Sequence, residues 1–334
     1  MDRPDFVDTC IDLAQPRLGA RVIEASDDFF APKERLIKPE PPIFIPDKYD
    51  DHGKWMDGWE SRRKRVEGHD YCIVRLCPGH IHGIDIDTRF FTGNFPPAAS
   101  LDVCNSDEDP TPETVWVPLL PLTALQGDSQ HFFEVDQPGI WTHIRLNIFP
   151  DGGVARLRVY GAAHHDWSQQ ISAGLIDLAA MRSGGRALAC NDMHFGHMSN
   201  LIAPGRGLNM GDGWETRRRR EPGNDWVILQ LGHPGIIQRV EVDTAFFKGN
   251  YPAGCSLHGA LLDSTTAPAI TAVSPLWRSL LPRAPLGPDC IQEFEPEILP
   301  CGPVSHVRFD IYPDGGVSRL RLFGRPQAAS LAQP

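Results

Sequence analysis

The chain has 334 residues and a formal net charge of −11, from 32 basic and 43 acidic side chains. A chain this acidic is not expected to bind nucleic acid or an anionic membrane surface. It has no apolar run near the ~18 residues of a membrane-spanning helix, and its start lacks the pattern of a signal peptide. Eight cysteines without a CxxC pattern indicate free thiols in a reducing cytoplasm, where we expect the protein to lie.

One domain-sized sequence occurs twice in the chain. The order of the shared segments is the same in both copies, but the offset between them falls from 165 residues at the first pair to 155 at the second. The pairs are 11–22 with 176–187, 57–63 with 212–218, 86–96 with 242–252, and 143–161 with 306–324. A repeat of this size indicates duplication of a whole domain. We therefore predict domain 1 over residues 1–165 and domain 2 over 170–334, with a linker near 162–172.

Short segments with alternating or β-branched residues predict β-strands in both copies. The clearest are 71–76, 143–149, 154–160, 226–231, 306–312 and 317–323. Long helical periodicity is scarce, and residues 37–53 are rich in proline and are expected to be irregular. The sequence therefore predicts an all-β fold of two tandem jelly-roll β-sandwich domains.

The sequence PDGG follows a predicted strand in each copy and is typical of a hairpin turn, at residues 150–153 and 313–316. In such a hairpin Arg145 would lie opposite Arg158, and Asn147 opposite Arg156. Like charges on facing strands destabilise a sheet, so these arginines need anionic partners. The partners are either carboxylates of the same domain or an anionic substrate.

DGWE[ST]RR is the most distinctive repeated motif. It combines two carboxylates and two arginines, and its candidate site residues are Asp57, Glu60, Arg62 and Arg63 in copy one and Asp212, Glu215, Arg217 and Arg218 in copy two. Arginine matches a carboxylate with two parallel hydrogen bonds, and a carboxylate beside fixed cations stays ionised and suits a base. The motif predicts a site for a small carboxylate-bearing molecule. The alternative is a solvated salt-bridge loop with Trp59 and Trp214 packed beneath it.

The second distinctive motif is DTxFFxGN[FY]P, which contains Asn94 in copy one and Asn250 in copy two. An amide offers both a donor and an acceptor and is suited to a ureido group. The alternative is a turn asparagine in the left-handed conformation. The phenylalanine pairs at 90–91 and 246–247 are expected in the core.

Two histidine pairs have metal-like spacing, but each occurs in one copy only: His80 with His82, and His194 with His197. We interpret them as surface or hydrogen-bonded histidines and expect no cofactor, with a divalent metal left open. The chain contains no GxSxG, P-loop, GxGxxG or HExxH sequence, which argues against serine hydrolases, nucleotide-binding proteins and zincins.

Taken together, these segments resemble the allantoicase (allantoate amidinohydrolase) family. The resemblance includes KWMDGWESRRKR, DTRFFTGNFP, GDGWETRRRR, VDTAFFKGNYP and both PDGG sequences, and it runs from about residue 7 to residue 325. It implies two domains similar to galactose-binding or discoidin-like modules and a homo-oligomer. It also implies hydrolysis of allantoate to ureidoglycolate and urea in purine-nitrogen recovery.

Allantoate carries one carboxylate and two ureido groups on a single carbon, so loss of urea needs a proton donor for the leaving nitrogen and a base. We predict Glu60 or Glu215 as the acid and base, supported by Asp57 or Asp212. The four arginines of the motif would bind the carboxylate, and Asn94 and Asn250 the ureido groups. The reaction would occur in one copy, in both, or where two copies meet.

Two other functions remain alternatives at this point. One is a tandem carbohydrate-binding β-sandwich without catalytic activity, because a fold alone does not determine function. The other is a metal-dependent hydrolase of another ureide that uses one of the histidine pairs.

Overall fold

The computed structural model describes residues 4–167, 174–262 and 267–327. Within them the chain consists mainly of β-strands, with two short α-helices, α1 (Asp5–Thr9) and α2 (Ala267–Val273). It divides into two compact units, a first unit of residues 1–164 and a second unit of residues 165–334. The predicted linker begins inside the last strand of the first unit, and its residues 168–172 lie outside the described part.

Twelve strands lie in the first unit. They are β1 (Ile11–Asp12), β2 (Arg21–Ala25), β3 (Tyr49–Asp50), β4 (Gly53–Lys54), β5 (Trp59–Glu60), β6 (Asp70–Asp87), β7 (Ala98–Cys104), β8 (Val117–Ala124), β9 (Gln130–Glu134), β10 (Trp141–Phe149), β11 (Gly153–Val154) and β12 (Arg156–Ala163). The short 3-10 helices are Pro16–Leu18 and Lys33–Ile37. Apart from the two-residue strands β3 and β4, residues 38–53 are irregular, as the proline content predicts.

The long strand β6 joins the two layers of the sandwich. Its first half pairs with β2 and β10, and its second half pairs with β12 and β9. The strand order is therefore β2–β6–β10–β7–β8 in one layer and β1–β12–β6–β9 in the other. Apolar side chains on both layers are fully buried, among them Leu146, Ile148, Leu157 and Val159. This confirms the predicted β-sandwich, which is stabilised by burial of these apolar faces.

The second unit repeats this architecture. Its strands are β13 (Ile176–Asp177), β14 (Arg186–Cys190), β15 (Trp214–Glu215), β16 (Asp225–Asp243), β17 (Gly254–Ala260), β18 (Arg278–Pro285), β19 (Ile291–Phe294), β20 (Val304–Tyr312), β21 (Gly316–Val317) and β22 (Arg319–Pro326). Its 3-10 helices are Met181–Ser183, Met198–Ile202, Met210–Asp212 and Ser274–Leu276. The long strand β16 takes the place of β6, with β14, β20, β22 and β19 paired to it. The duplication is therefore one of a whole fold.

The predicted PDGG hairpin is wrong. β6 lies between β10 and β12 in the strand order, and β16 separates β20 from β22 in the same way. Arg145 lies opposite Ile73 and Asp102, and Arg158 lies opposite Asp85. The end of PDGG forms β11, which pairs with β5 and carries the chain from one layer to the other. The alternating pattern is the same for paired and separated strands, so it does not reveal this order.

The strand arginines are neutralised within their own domain. Arg145 Nη2 lies 2.8 Å from Asp102, Arg156 Nη2 lies 2.7 Å from Asp57, and Arg158 Nη1 lies 3.3 Å from Asp12. In the second unit Arg319–Asp212 and Arg321–Asp177 are the equivalent pairs, whereas Arg308 pairs with Asp310 of its own strand. Of the two kinds of partner that the sequence left open, the structure shows carboxylates of the same domain.

Two further features agree with the sequence. All eight cysteines are free thiols. No helix of the described residues is long and apolar enough to cross a membrane.

Candidate functional site

The three repeated motifs meet at one place in each unit. In the first unit β5 places Glu60 opposite Gly153 of β11, and the Gly153 N–H donates to the Asn94 carbonyl at 2.7 Å. In the second unit β15 places Glu215 opposite Gly316 of β21, whose N–H donates to the Asn250 carbonyl at 2.8 Å. The fold thus brings DGWE, GN and PDGG together, although they are far apart in the sequence.

The two glycines of PDGG permit this close approach. Gly152 has a φ of +145°, and a Cβ there would lie 2.9 Å from the Asn94 carbonyl oxygen. A Cβ on Gly153 would lie 2.0 Å from Cε1 of Phe91. Any larger residue would force the Asn94 loop away from Glu60.

The buried tryptophans of the motif fix the backbone beneath the acids. Trp59 and Trp214 are both fully buried. The Trp59 indole N–H donates to the Asp27 carbonyl at 2.8 Å, and that of Trp214 to the Asp192 carbonyl at 2.9 Å. Both tryptophans therefore pack beneath the loop, as the salt-bridge alternative expected.

Each glutamate of the motif is hydrogen-bonded to the asparagine predicted to bind a ureido group. Asn94 Nδ2 donates to Glu60 Oε1 at 2.7 Å, and Asn250 Nδ2 donates to Glu215 Oε1. The non-glycine residues with positive φ in the described part of the chain are Phe90, Asp128, Phe246 and Asp289. The left-handed alternative for the two asparagines is therefore wrong, and their amides hold the glutamates instead.

A cavity of about 470 Å³ opens around Glu60 and Asn94 in the first unit. Its other walls include Phe44, Lys54, Phe90 and Asp128. Its size is within the range of small-molecule sites, and its lining combines apolar walls with a few polar groups, as such sites do.

The phenylalanine pairs divide between the core and the surface. Phe91 and Phe247 are buried, as predicted. Phe90 lines the cavity and stacks on Phe44 with ring centroids 5.7 Å apart, and Phe246 is 40% exposed. Phe90 is half-buried and packs against the core cluster of Met56, Phe91 and Ala155, so the core prediction holds for it in part and is wrong for Phe246.

The Glu60 carboxyl is harder to ionise than that of an exposed glutamate. Burial raises the pKa of the Glu60 carboxyl above its ordinary value, while the Asn94 hydrogen bond and the charge of Arg63 offset this only in part. A raised pKa in a cavity is characteristic of groups that donate and accept protons.

Asp57 and Asp212 are anchored to buried arginines. Asp57 accepts hydrogen bonds from Arg156 at 2.7 Å and Lys38 at 2.9 Å. Burial opposes its charge, but these bonds hold the pKa of Asp57 below its ordinary value. Asp212 accepts from Arg319 at 2.9 Å. Asp57 is buried and does not line the cavity, so it affects the site by holding the backbone of its motif in place.

The four arginines of the motif lie in different surroundings. Arg62 and Arg217 pair with Asp27 and Asp192 at the start of the unit, as the salt-bridge alternative predicts. Arg63 donates to Asp151 at 3.1 Å and to the Gly93 carbonyl at 3.2 Å, beside Asn94.

The fourth of these arginines, Arg218, is exposed and makes no hydrogen bond or ion pair with the described residues. Of the four, Arg63 is the one whose charge acts on Glu60.

The histidine pairs are not assembled into a metal site. His197 Nδ1 accepts from the Ser199 N–H at 3.2 Å, and the His194 ring packs on Phe195. The His80 ring contacts that of His164. In residues 4–167, 174–262 and 267–327, no three His, Cys, Asp or Glu side chains are grouped to hold a metal ion.

Several cavity residues come from the proline-rich stretch that was expected to be irregular, and not from the repeated motifs. The bridges Ala31–Glu60 and Gly196–Glu215 are equivalent, yet 29 positions separate the first pair and 19 the second. Residues 40–54 thus take the place of residues 205–209 of the second unit. We call residues 40–54 the long segment. In the sequence, the long segment is visible as the fall in the repeat offset from 165 to 155 residues.

Similarity to known proteins covers nearly the whole chain. The family model "Allantoicase repeat" matches residues 11–164 and 176–327. "Probable allantoicase 2" of Burkholderia pseudomallei is 56% identical over 323 residues, 96% of each chain. "Probable allantoicase" of Pseudomonas aeruginosa is 56% identical over 319 residues, 95% of this chain and 96% of that one.

A solved structure shows the same fold. The crystal structure of allantoicase from Saccharomyces cerevisiae matches with a TM-score of 0.79 and 35% identity, over 94% of this chain and 93% of that one. Two family repeats, relatives above 50% identity and this shared fold agree with one another. The chain therefore belongs to the allantoicase family.

Proposed function

We propose that this protein hydrolyses allantoate to ureidoglycolate and urea in purine degradation, and that the reaction takes place at Glu60 in the cavity of the first unit. The observation that carries the proposal is the Glu60–Asn94 pair, half-buried in a cavity of about 470 Å³. Membership of the allantoicase family supports the choice of substrate.

Glu60 acts first as an acid and then as a base. Its protonated carboxyl gives a proton to the leaving ureido nitrogen as the C–N bond breaks, and the lone pair of the remaining ureido nitrogen forms a C=N bond to the central carbon, which gives an iminium cation beside the Glu60 carboxylate. The Glu60 carboxylate then takes a proton from water as the water oxygen bonds to that carbon. Ureidoglycolate and urea leave, and Glu60 is protonated again. A positioned acid and base of this kind accelerates a reaction roughly 10²–10⁴-fold.

Asn94 and Arg63 support this cycle. The Asn94 amide orients the Glu60 carboxyl, and its oxygen accepts an N–H of a ureido group. Arg63 adds positive charge near the anionic substrate. Asp57 and Arg62 hold the two ends of the motif through Arg156 and Asp27.

Glu215 and Asn250 form the same pair in the second unit, but their surroundings differ. Phe195, the counterpart of half-buried Phe30, is 61% exposed. Gly211 stands where Met56 lines the first cavity. The second unit lacks the long segment, so we assign turnover to the first unit. Asp212 and Arg217 then serve the structure of the second unit, and Arg218 takes no part in turnover.

We also propose that the protein works as a homo-oligomer in the cytoplasm. The eight free thiols support a reducing compartment. Light scattering coupled to size-exclusion chromatography measures the assembly directly, and a mass of one chain would contradict it.

The test of the proposal is to incubate the purified protein with allantoate and to follow urea and ureidoglycolate. We expect equal amounts of the two products, with the rate unchanged after exhaustive dialysis against a chelator. Absence of urea above the uncatalysed rate would overturn the proposal. Loss of activity on dialysis that returns with a divalent metal would favour a metal-dependent hydrolase.

A further inference from the structure

The cavity of the first unit is rich in carboxylates. Glu60 and Asp128 both line it, and Asp128 Oδ1 accepts a hydrogen bond from the Phe90 N–H at 2.8 Å. A substrate that carries a carboxylate is repelled by such a cavity unless a cation compensates the charge. The cation is therefore expected among the residues that line the same walls.

Lys54 is the lysine on that wall. It lies in the long segment, and its Nζ is 4.6 Å from the centre of the Phe44 ring, a cation–π distance. Within the described residues it forms no ion pair, in contrast to Lys38, which lies 2.9 Å from Asp57. Its charge is thus available to a ligand.

The arginines of DGWE[ST]RR are less suited to this role. Arg62 is already paired with Asp27 and Arg63 with Asp151, and neither lines the cavity. Binding a substrate carboxylate through one of them would require the existing pair to break or to be shared.

The second unit shows the opposite arrangement of charge. Thr92 lines the first cavity, and its counterpart in the repeat is Lys248. Lys248 Nζ lies 3.8 Å from Asp289, the counterpart of Asp128. Lys248 therefore pairs with Asp289 in the second unit, whereas Asp128 in the first unit has no lysine partner among the described residues.

We propose that Lys54 binds the carboxylate of the substrate and makes the first unit specific for an anionic ureide. This inference rests on the proposed function. The ammonium group holds the carboxylate on the carbon that loses urea, and so directs the scissile C–N bond toward Glu60. The long segment thereby provides both the wall and the charge of the site.

The test compares allantoate with its neutral carboxamide in Lys54→Met, Lys54→Arg and the control Lys48→Met. Lys48 lies in the same segment but packs over Trp55, with Nζ 3.8 Å from the ring centre, and does not line the cavity. A lost charge-assisted hydrogen bond corresponds to a roughly 10–100-fold rise in KM. We expect this rise for allantoate in Lys54→Met with kcat much less affected, no change in kcat/KM for the carboxamide, and recovery in Lys54→Arg.

An equal fall in kcat/KM for both substrates in Lys54→Met, or no fall for either, would overturn the assignment of Lys54. Activity on the carboxamide reports that the variant is folded. Failure of the proposed function itself gives a different result, because the unaltered protein would then release no urea from allantoate.

Discussion

At the scale of single residues, the site depends on one acid whose surroundings oppose its charge. Burial raises the pKa of Glu60, and two neighbours, Asn94 and Arg63, moderate that rise. The carboxyl therefore carries a proton over a wider pH range than an exposed glutamate. A proton donor for the leaving nitrogen requires this property.

Replacing Arg63 should move the pH profile upward. The Arg63 charge lowers the pKa of Glu60, so Arg63→Gln raises that pKa further. Because C–N cleavage requires protonated Glu60, the fall in kcat on the alkaline side should shift to higher pH. The measurement is kcat as a function of pH, with the exposed Arg65→Gln as a control that should not move the profile. A shift to lower pH would contradict the role of Glu60 as an acid.

A second buried acid, Asp85, should make stability depend on pH. Burial, together with the charge of Asp87, raises the pKa of Asp85 to about 7, and Asp85 Oδ1 has no hydrogen-bond partner in the described structure. The folded protein retains a proton that the unfolded chain releases near pH 4. The stability from this group is complete below that pH and is lost as the pH rises toward 7.

Asp85→Asn should remove this loss. The free energy of unfolding can be measured with urea at pH 5 and at pH 8. The difference between the two values should be smaller in the variant than in the parent by roughly 2–4 kcal/mol. Replacement of the exposed Glu108 by Gln should leave the difference unchanged. An Asp85→Asn protein with the parent's pH dependence would refute the assignment.

At the scale of elements, the site is built by the pairing of β5 with β11 and of β15 with β21. Each pair of short strands buries one tryptophan and one valine, and buried polar contacts also hold the pair in place. Arg156 and Arg319 are almost completely buried, and each binds the aspartate that begins DGWE. A buried aspartate without its arginine is strongly destabilising.

A variant that lacks either arginine should therefore unfold at a lower urea concentration than the parent protein. We expect Arg156→Met and Arg319→Met each to lower the free energy of unfolding by about 3–5 kcal/mol, because Asp57 or Asp212 is left buried without its main partner. Exposed Arg65→Met should change it by less than about 0.5 kcal/mol. Equal stability of the three variants would show that the buried pairs are not needed.

The sequence predicts the composition of the elements better than their order. Alternation locates β10 and β12 and their apolar faces, since successive side chains of a strand point to opposite sides of the sheet. It does not place β6 between them, because strand order depends on pairings distant in the chain. The motifs predict chemical roles for Glu60 and Asn94, but they do not predict that the two side chains are hydrogen-bonded to each other. Lys54 is not among the predicted site residues. A comparison of the two copies identifies the residues that they share, whereas the long segment occurs in the first copy.

At the scale of the whole molecule, duplication has produced two units with the same motifs and different surroundings. Both keep the glutamate–asparagine pair. The long segment, residues 40–54, covers that pair in the first unit, where Phe44 stacks on Phe90, whereas the counterpart Phe246 is 40% exposed. On the proposed assignment, the first unit carries out the reaction and the second keeps the fold.

The central claim is that Glu60 carries out the chemistry, and the repeat supplies its own control. Urea release from allantoate should be compared for the parent protein, Glu60→Gln and Glu215→Gln under identical conditions. Loss of the acid and base predicts a fall in kcat of roughly 10²–10⁴-fold for Glu60→Gln, with Glu215→Gln within about twofold of the parent, since that change is worth less than about 0.5 kcal/mol. Full activity in Glu60→Gln, or an equal loss in Glu215→Gln, would contradict the account.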